Sequence, residues 1–226
     1  MDPLMNTPST PTADSGLNND SHNSEKRGPG SYHHGNLRAA LLQAAVELIR
    51  EAGVEKLSLR GLARKVGVSQ TAPYRHFQDK NHLLVEIAKQ TFEELAQATR
   101  ALIDPSCSAT KNIEAAGKAY LNFAIHNPER YKLVFGPSIE NRAEYPDLID
   151  SGQKAFGILK QLVEAGIQQQ ELLDEDPQIL STTCWSNIHG FAALAIDGFY
   201  DRQVAFSDFD TLLNSHVRLS IRGIVR

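Results

Sequence analysis

The chain of 226 residues lacks several features on which whole classes of protein depend. It has only two cysteines, Cys107 and Cys184, which lie far apart and form no Cys-x-x-Cys pair, so neither a disulfide scaffold nor a zinc site is predicted. No apolar run approaches the ~20 residues that a membrane-spanning helix needs. Residues 1–30 lack the basic start and apolar core of a signal peptide, and we therefore expect a cytoplasmic protein that does not contact a membrane.

Motifs of catalysis and cofactor binding are also missing. The sequence contains no Gly-x-Ser-x-Gly turn, no Walker loop and no Gly-x-Gly-x-x-Gly run. Eight histidines are present, but none forms a His-x-x-x-His pair with an acidic third ligand nearby. The sequence therefore predicts a protein that is not an enzyme and that needs no cofactor or metal ion.

Charge is distributed unevenly along the chain, whose formal net charge is −4. Residues 25–80 contain ten Lys/Arg and five Asp/Glu, a balance of +5, so the rest of the chain carries −9. A basic segment joined to an acidic body is typical of a DNA reader with a separate regulatory domain, because only the basic part attracts phosphates.

The segment from Ser58 to Lys80 has the proportions of a helix, a tight turn and a second helix. Ser58 is a suitable N-cap, and Gly67 supplies the left-handed conformation that ends the first helix. Phe77 is expected to close the second helix onto the core. The side chains expected to reach base edges or phosphates are Ser58, Arg60, Gln70, Thr71, Tyr74, Arg75, His76 and Lys80. The alternative is an ordinary αα-hairpin whose basic residues are solvated.

Residues 33–85 resemble the amino-terminal DNA-binding domain of TetR-family transcriptional regulators. The resemblance lies in a glycine-ended first helix, a Ser-capped second helix, an Ala-x-x-x-Gly-Val-Ser turn, and a Tyr-x-His-Phe-x-x-Lys run before a Leu pair. The matching positions are Ala45, Leu48, Ile49, Gly53, Ser58, Leu62, Ala63, Gly67, Val68, Ser69, Tyr74, His76, Phe77, Lys80, Leu83 and Leu84. The sequence departs at Ala72-Pro73, where many members have Gly-Thr or Gly-Ala, which leaves the start of the recognition helix open.

Helical periodicity continues through the rest of the chain, and no segment alternates as a strand does. Caps and prolines place the predicted helices at Asp79–Asp104, about 109–126, 128–135, Pro146 to about Gln170, Pro177–Tyr200, and from Ser207 onward. The fold is therefore expected to be all-α. It should consist of a disordered tail over 1–30, a three-helix helix-turn-helix DNA-binding domain over 31–80, and a mainly six-helix ligand-binding and dimerisation bundle over 81–226.

The body contains aromatic residues at helical spacing, which usually form core. The resemblance implies a ligand cavity there, so some of these residues should line it. The expected lining residues are Phe92, Tyr120, Phe123, Tyr131, Phe156 and Trp185. The run Trp185-x-x-x-His189-Gly190 resembles a signature of one group of TetR-family carboxy-terminal domains. His189 itself could be a core histidine, a dimer contact or a pocket donor, and we favour a structural role.

The last two predicted helices have two apolar faces each, one for the chain's own core and one for a partner helix across a twofold axis. The expected homodimer contacts are Ile188, Phe191, Ala195, Leu212, His216 and Leu219. The leading function is a repressor that binds a palindromic double-stranded DNA operator and is released by a small, largely apolar ligand. Two alternatives stay open: a ligand-independent DNA-binding regulator controlled by a protein partner, and an all-α small-molecule binding protein or enzyme.

Overall fold

The computed structural model describes residues 36–200 and 208–226, so the tail predicted over 1–30 lies outside the described residues. Within them are eight α-helices: α1 Leu37–Ala52, α2 Leu59–Val66, α3 Lys80–Ala101, α4 Ala109–His126, α5 Pro128–Phe135, α6 Pro146–Gln168, α7 Pro177–Ile196 and α8 Phe209–Arg222. The only β pairing among the described residues is one isolated bridge between Leu172 and Val225. The predicted all-α fold is confirmed.

The helices begin where the sequence supplies a cap. The side chain of Ser58 accepts a hydrogen bond from the backbone N–H of Gly61 at 3.1 Å, and that of Asp79 accepts one from His82 at 2.7 Å. Gly67 ends α2 in the left-handed conformation, with φ of 77°, which a residue with a Cβ adopts only with strain. These local signals fix the entry and exit of the chain in the amino-terminal helices. We call described residues up to Lys80 the head and the later ones the body.

The second helix of the predicted helix-turn-helix is much shorter than expected. Only a 3₁₀ turn, Pro73–Arg75, lies between α2 and α3. Pro73 has no N–H to donate, and the backbone N–H of Phe77 bonds back to the Pro73 carbonyl at 2.9 Å as the chain turns into the core. Asp79 then caps α3, so little chain is left for a longer helix.

Two helix ends of the body also differ from the expected positions. Helix α7 ends at Ile196 rather than at Tyr200, because Gly198 adopts a left-handed conformation with φ of 71°. Helix α8 begins at Phe209, and its cap is Asp208, whose side chain accepts from the N–H of Asp210 at 3.0 Å. Ser207, the predicted start of this helix, lies outside the described residues.

Two clusters of buried side chains form the core. The first joins α1, α2, Phe77 and the first half of α3, and it also takes Leu133 and Val134 from α5. The second lies in the body between α4, α6, α7 and α8. Because α3 and α5 contribute to the first cluster and also continue into the body, the head rests on elements that reach the interior of the body.

Candidate nucleic-acid interface and body cavity

The turn between α2 and α3 presents an exposed polar surface on the head. Gln70, Thr71 and Arg75 are exposed, and the Tyr74 side chain is 50% exposed although it is a large aromatic group. Among the described residues, Arg60, Tyr74 and Arg75 form no side-chain hydrogen bond or ion pair. Their donors can therefore reach an external partner without breaking an internal contact.

The other predicted contact residues have partners within the head. The hydroxyl of Ser58 caps α2, and the Lys80 ammonium donates to the backbone carbonyl of Glu55 at 3.3 Å. His76 is half-buried, with its ring centroid 6.3 Å from that of Phe77. These three side chains lie at the edge of the polar surface and help to hold its shape.

Buried side chains fix this surface to the rest of the head. Phe77 is fully buried, and the Arg38 guanidinium lies over its ring at 5.8 Å from the centroid. Arg38 also forms an ion pair with Glu86 of α3. Burial would raise the pKa of Glu86, but its hydrogen bond to Lys89 and the positive charges of Lys89 and Arg38 outweigh burial and lower that pKa. The turn is thus tied to α1 and to the first turns of α3.

The body contains a cavity of about 450 Å³ between α3, α4, α6, α7 and α8, with exposed residues such as Ile149 at its mouth. None of its lining residues carries a formal charge. They are Phe92, Leu95, Thr99, Ile113, Ala116, Gly117, Tyr120, Phe135, Ile149, Gly152, Gln153, Ala155, Phe156, Leu159, Gln178, Thr182, Cys184, Trp185, Ile188, Val217, Ser220 and Ile221. The size and the mostly apolar wall are those of a small-molecule site.

Four of the six predicted lining residues lie on this wall: Phe92, Tyr120, Phe156 and Trp185. Phe123 does not, because its ring packs against the Arg130 guanidinium at 5.7 Å from the centroid. Tyr131 is also absent from the wall, since it is buried in the second cluster with its hydroxyl on His189.

Sequence reasoning missed the contribution of Phe135 and of the small wall residues. The Phe135 ring lies 5.9 Å from that of Phe92 and 6.0 Å from that of Trp185. Space for the cavity comes from small side chains on facing helices, such as Ala116 on α4 and Gly152 on α6. Small residues at helical spacing opposite an aromatic stripe were the available signal.

At one side of the cavity two tyrosine hydroxyls converge on His189. The Tyr120 hydroxyl lies 2.8 Å and the Tyr131 hydroxyl 2.9 Å from Nδ1 of His189, and Tyr131 also donates to the His189 backbone carbonyl at 3.1 Å. Burial lowers the pKa of His189 and raises that of Tyr131 to about 12. The three side chains therefore stay neutral near pH 7.

Two structural links run from the cavity to the head. Helix α3 carries Phe92 on the cavity wall and Leu83 in the core beneath the head. Helix α5 carries Phe135 on the wall, and the loop that follows it is held by Asn81 of α3. The Asn81 side chain donates to the Glu140 carbonyl at 3.1 Å and accepts from the Glu140 N–H at 2.9 Å.

Comparison with protein families matches both parts of this arrangement. Residues 41–87 match the family described as bacterial regulatory proteins, tetR family, and residues 113–219 match a tetracyclin repressor-like, C-terminal domain. The chain belongs to the TetR family. Its members are DNA-binding transcriptional regulators and not enzymes, so the predicted regulator function is confirmed and the enzyme alternative is removed.

Individual relatives of this TetR-family chain are distant. The transcriptional activator FasR of Mycolicibacterium smegmatis is 27% identical over 117 residues, which cover 49% of this chain and only about half, 53%, of FasR. The nucleoid occlusion factor SlmA of Aliivibrio fischeri is 24% identical over 192 residues, covering 81% and 96%. A solved structure of a protein with unknown function from Rhodococcus sp. RHA1 is 27% identical, with a TM-score of 0.74 over 87% of this chain and 99% of that one.

The predicted dimer contacts of this TetR-family chain divide between core and surface. Ile188 and Phe191 are only 6% and 3% exposed, because they face the protomer's own second cluster, where Phe191 stacks on His216 at 4.5 Å. Ala195, Leu212 and His216 are half-buried against the same cluster or beside it, and Leu219 is 54% exposed. The prediction therefore needs correction: Ile188 and Phe191 have almost no surface left for a partner.

A different face of α7 is exposed. Ile179, Thr183, Ser186, Gly190 and Leu194 lie about one turn apart along the side of α7 opposite the core, and we call them the α7 stripe. The side chains of Ile179 and Leu194 are 60% and 44% exposed, and a Cβ added to Gly190 would meet nothing within 4 Å. A second helix could approach this face closely.

None of the described helices is both long and apolar enough to cross a membrane.

Proposed function

We propose that this regulator is a homodimeric repressor, released from its operator by a small, largely apolar molecule bound in the body cavity. The observation that carries the proposal is an uncharged, aromatic-rich cavity of about 450 Å³ whose wall includes Phe92 of α3, the helix on which the head is packed. We place the boundary between the two domains at Lys80, where Asp79 caps α3. Because Trp185 packs on His189 at 4.9 Å, we assign the body to the Trp-x-x-x-His-Gly group.

Specific DNA contacts are assigned to the exposed turn of the head. Tyr74 and Arg75 are the candidates for base edges, because they are exposed and have no partner among the described residues. Ser58, Arg60, His76 and Lys80 are assigned to phosphates, which position the head without reading sequence. Gln70 and Thr71, at the exposed tip of the turn, are further candidates for either role.

We assign dimerisation to the α7 stripe together with Leu219 of α8. Exposed apolar groups on adjacent helices, with small residues between them, allow two copies to form a four-helix interface around a twofold axis. A twofold dimer matches a palindromic operator. Half-sites one helical turn apart, roughly 34–36 Å, are the simplest spacing.

Release follows from the two links between cavity and head. A molecule that displaces Phe92 or Phe135 pushes on α3 or on the loop that Asn81 holds, and either movement tilts the head. DNA accepts two heads only over a narrow range of separations. A change from 99% to 1% of the DNA-competent state requires about 10⁴-fold preference of the ligand for the other state, roughly 5.5 kcal/mol.

The test begins with an operator that the protein itself selects from random DNA. Fluorescence anisotropy then measures operator affinity with and without members of a panel of small apolar molecules, while emission of the single tryptophan, Trp185, reports cavity occupancy. We expect at least one molecule to change the emission and weaken operator binding. Operator DNA should in turn lower the affinity of the protein for that molecule by the same factor. If molecules occupy the cavity but leave operator affinity unchanged, the ligand-independent regulator controlled by a protein partner replaces this proposal.

A further inference from the structure

The cavity wall offers no charged group that could neutralise a charged ligand. None of its lining side chains carries a formal charge. The nearby Arg130 guanidinium does not line the cavity, and its charge is paired with Glu94, to which it donates at 2.7 Å. It also donates to the hydroxyl of Thr91 at 3.1 Å, and its buried Nη2 has no partner among the described residues. An anion that entered the cavity would lose its hydration without gaining a counter-charge, which is strongly unfavourable. A cation would gain only contacts with aromatic faces in return.

Most polar groups of the wall are already used inside the protein. The hydroxyl of Thr99 donates to the Leu95 carbonyl at 2.9 Å, and the hydroxyl of Ser220 donates to the His216 carbonyl at 2.8 Å. The Gln178 amide donates to the hydroxyl of Thr182 at 3.3 Å. The hydroxyl hydrogens of Thr99 and Ser220 are therefore used, while their oxygens can still accept a hydrogen bond. The wall thus offers mainly acceptors, apart from the amide of Gln153, which is exposed to solvent.

Among these acceptors, Tyr120 lies in the aromatic part of the wall, with its ring centroid 6.5 Å from that of Phe135. Nδ1 of His189 can make one good hydrogen bond, and two tyrosine hydroxyls lie near it. Because Tyr131 can donate to the His189 carbonyl instead, Tyr120 can donate to Nδ1. The Tyr120 oxygen then accepts from Trp185 with one lone pair and keeps the other for a ligand on the cavity wall.

The charge state of Tyr120 fits this role. Burial raises the pKa of Tyr120 far above its usual value, and the neighbouring Tyr131 raises it further, although a hydrogen bond from Trp185 partly opposes them. The phenol therefore stays neutral at any physiological pH. It offers a hydrogen-bonding oxygen rather than a charge.

We propose that the cavity selects uncharged molecules with an apolar body and one hydroxyl group, and that the Tyr120 oxygen accepts the hydrogen bond of that hydroxyl. This inference rests on the proposed function, because it takes the cavity as the effector site. It narrows the effector to a chemical class, namely neutral alcohols and phenols, and excludes carboxylates and phosphates.

Three probes with the same ten-carbon chain test the charge requirement: 1-decanol, decanoate and decyltrimethylammonium. Each is titrated against the full chain with Trp185 emission as the readout, which has no background from other tryptophans. We expect decanol to bind at least about 100-fold more tightly than decanoate, because the carboxylate finds no counter-charge in the cavity. The preference over decyltrimethylammonium should be smaller, about tenfold, because cation–π contacts with the aromatic wall offset part of the desolvation cost of the cation. Equal binding of an ion, or no binding of decanol, overturns the proposal.

A fourth probe, decyl methyl ether, tests the role of Tyr120 because it can accept a hydrogen bond but cannot donate one. The wild-type chain should prefer decanol over the ether by about fivefold, the worth of one ordinary hydrogen bond. Tyr120→Phe should abolish this preference. Tyr131→Phe is the matched control, because it removes a hydroxyl that contacts the same histidine but does not line the cavity. This variant should keep the preference for decanol over the ether.

The outcomes separate this inference from the proposed function. If decanol binds with the predicted preference but leaves operator affinity unchanged, the ligand class stands and the effector role fails. If one of the ions changes Trp185 emission and weakens operator binding, the cavity is still the effector site but the proposed ligand class is wrong. A preference for decanol that survives Tyr120→Phe removes Tyr120 as the acceptor.

Discussion

The assignment of the dimer interface to the α7 stripe predicts the effect of substituting one glycine, Gly190. In the protomer, a Cβ at Gly190 would meet nothing within 4 Å, so Gly190→Leu should leave the isolated fold intact. If α7 packs against α7 of a second copy, the same side chain projects into the helix–helix contact. The substitution should therefore affect association and spare folding.

The size of the effect follows from the symmetry. Extra side-chain carbons in a well-packed contact cost about 1–3 kcal/mol. A twofold interface contains two copies of each substitution, so the dimer should lose about 2–6 kcal/mol. Since each 1.4 kcal/mol is a factor of ten, the dimer dissociation constant should rise by about 30-fold to 2 × 10⁴-fold.

Sedimentation equilibrium over a range of concentrations measures this constant, because the monomer has a mass of 24.9 kDa and the dimer twice that. Gly157→Leu on α6 is the matched control: its added Cβ also meets nothing within 4 Å, but Gly157 does not lie on α7. Thermal unfolding checks that both variants are folded. A Gly190→Leu dimer as tight as the wild type, or equal weakening by Gly157→Leu, would refute the assignment of the interface to the α7 stripe.

Three further predictions concern DNA reading, packing and coupling. Tyr74→Ala should cost about 1–3 kcal/mol on the selected operator and little on random DNA, whereas Lys80→Ala should weaken both and flatten the salt dependence; anisotropy titrations at several salt concentrations distinguish these patterns from no effect. Gly166→Ala should lower the free energy of unfolding by about 1–3 kcal/mol in urea denaturation, because its Cβ would lie 2.7 Å from the Leu172 side chain; unchanged stability would contradict the tight packing. Asn81→Ala should reduce the effector's effect on operator affinity by about 0.5–2 kcal/mol while Trp185 emission still reports binding; full release would assign coupling to α3 without the loop.

The head was predictable because its signals are local. Ser58, Gly67 and Asp79 act on the next few residues of the backbone, so their roles follow from the sequence alone. The length of the second helix did not follow, although Pro73 pointed to an irregular start. Its length depends on where Phe77 enters the core, which is a tertiary contact that local propensity does not determine.

The cavity was only partly predictable because its space is shared between helices far apart in sequence. Helical periodicity treats Phe123 and Phe135 alike, since both are aromatic residues at the end of an apolar stripe. What separates them is Arg130, whose guanidinium covers the Phe123 ring while Phe135 remains beside Trp185. Such a choice between neighbours requires the packed structure.

The face that α7 offers to a partner could not be predicted for a different reason. In a helix that is apolar on one side, periodicity identifies the buried face. Helix α7 is apolar on most sides: Ile188 and Phe191 face the core, whereas Ile179 and Leu194 face out. The sequence therefore permits two interfaces of opposite orientation. Packing against α4 and α8 uses one of them, and the side left exposed is the one that we assign to the dimer.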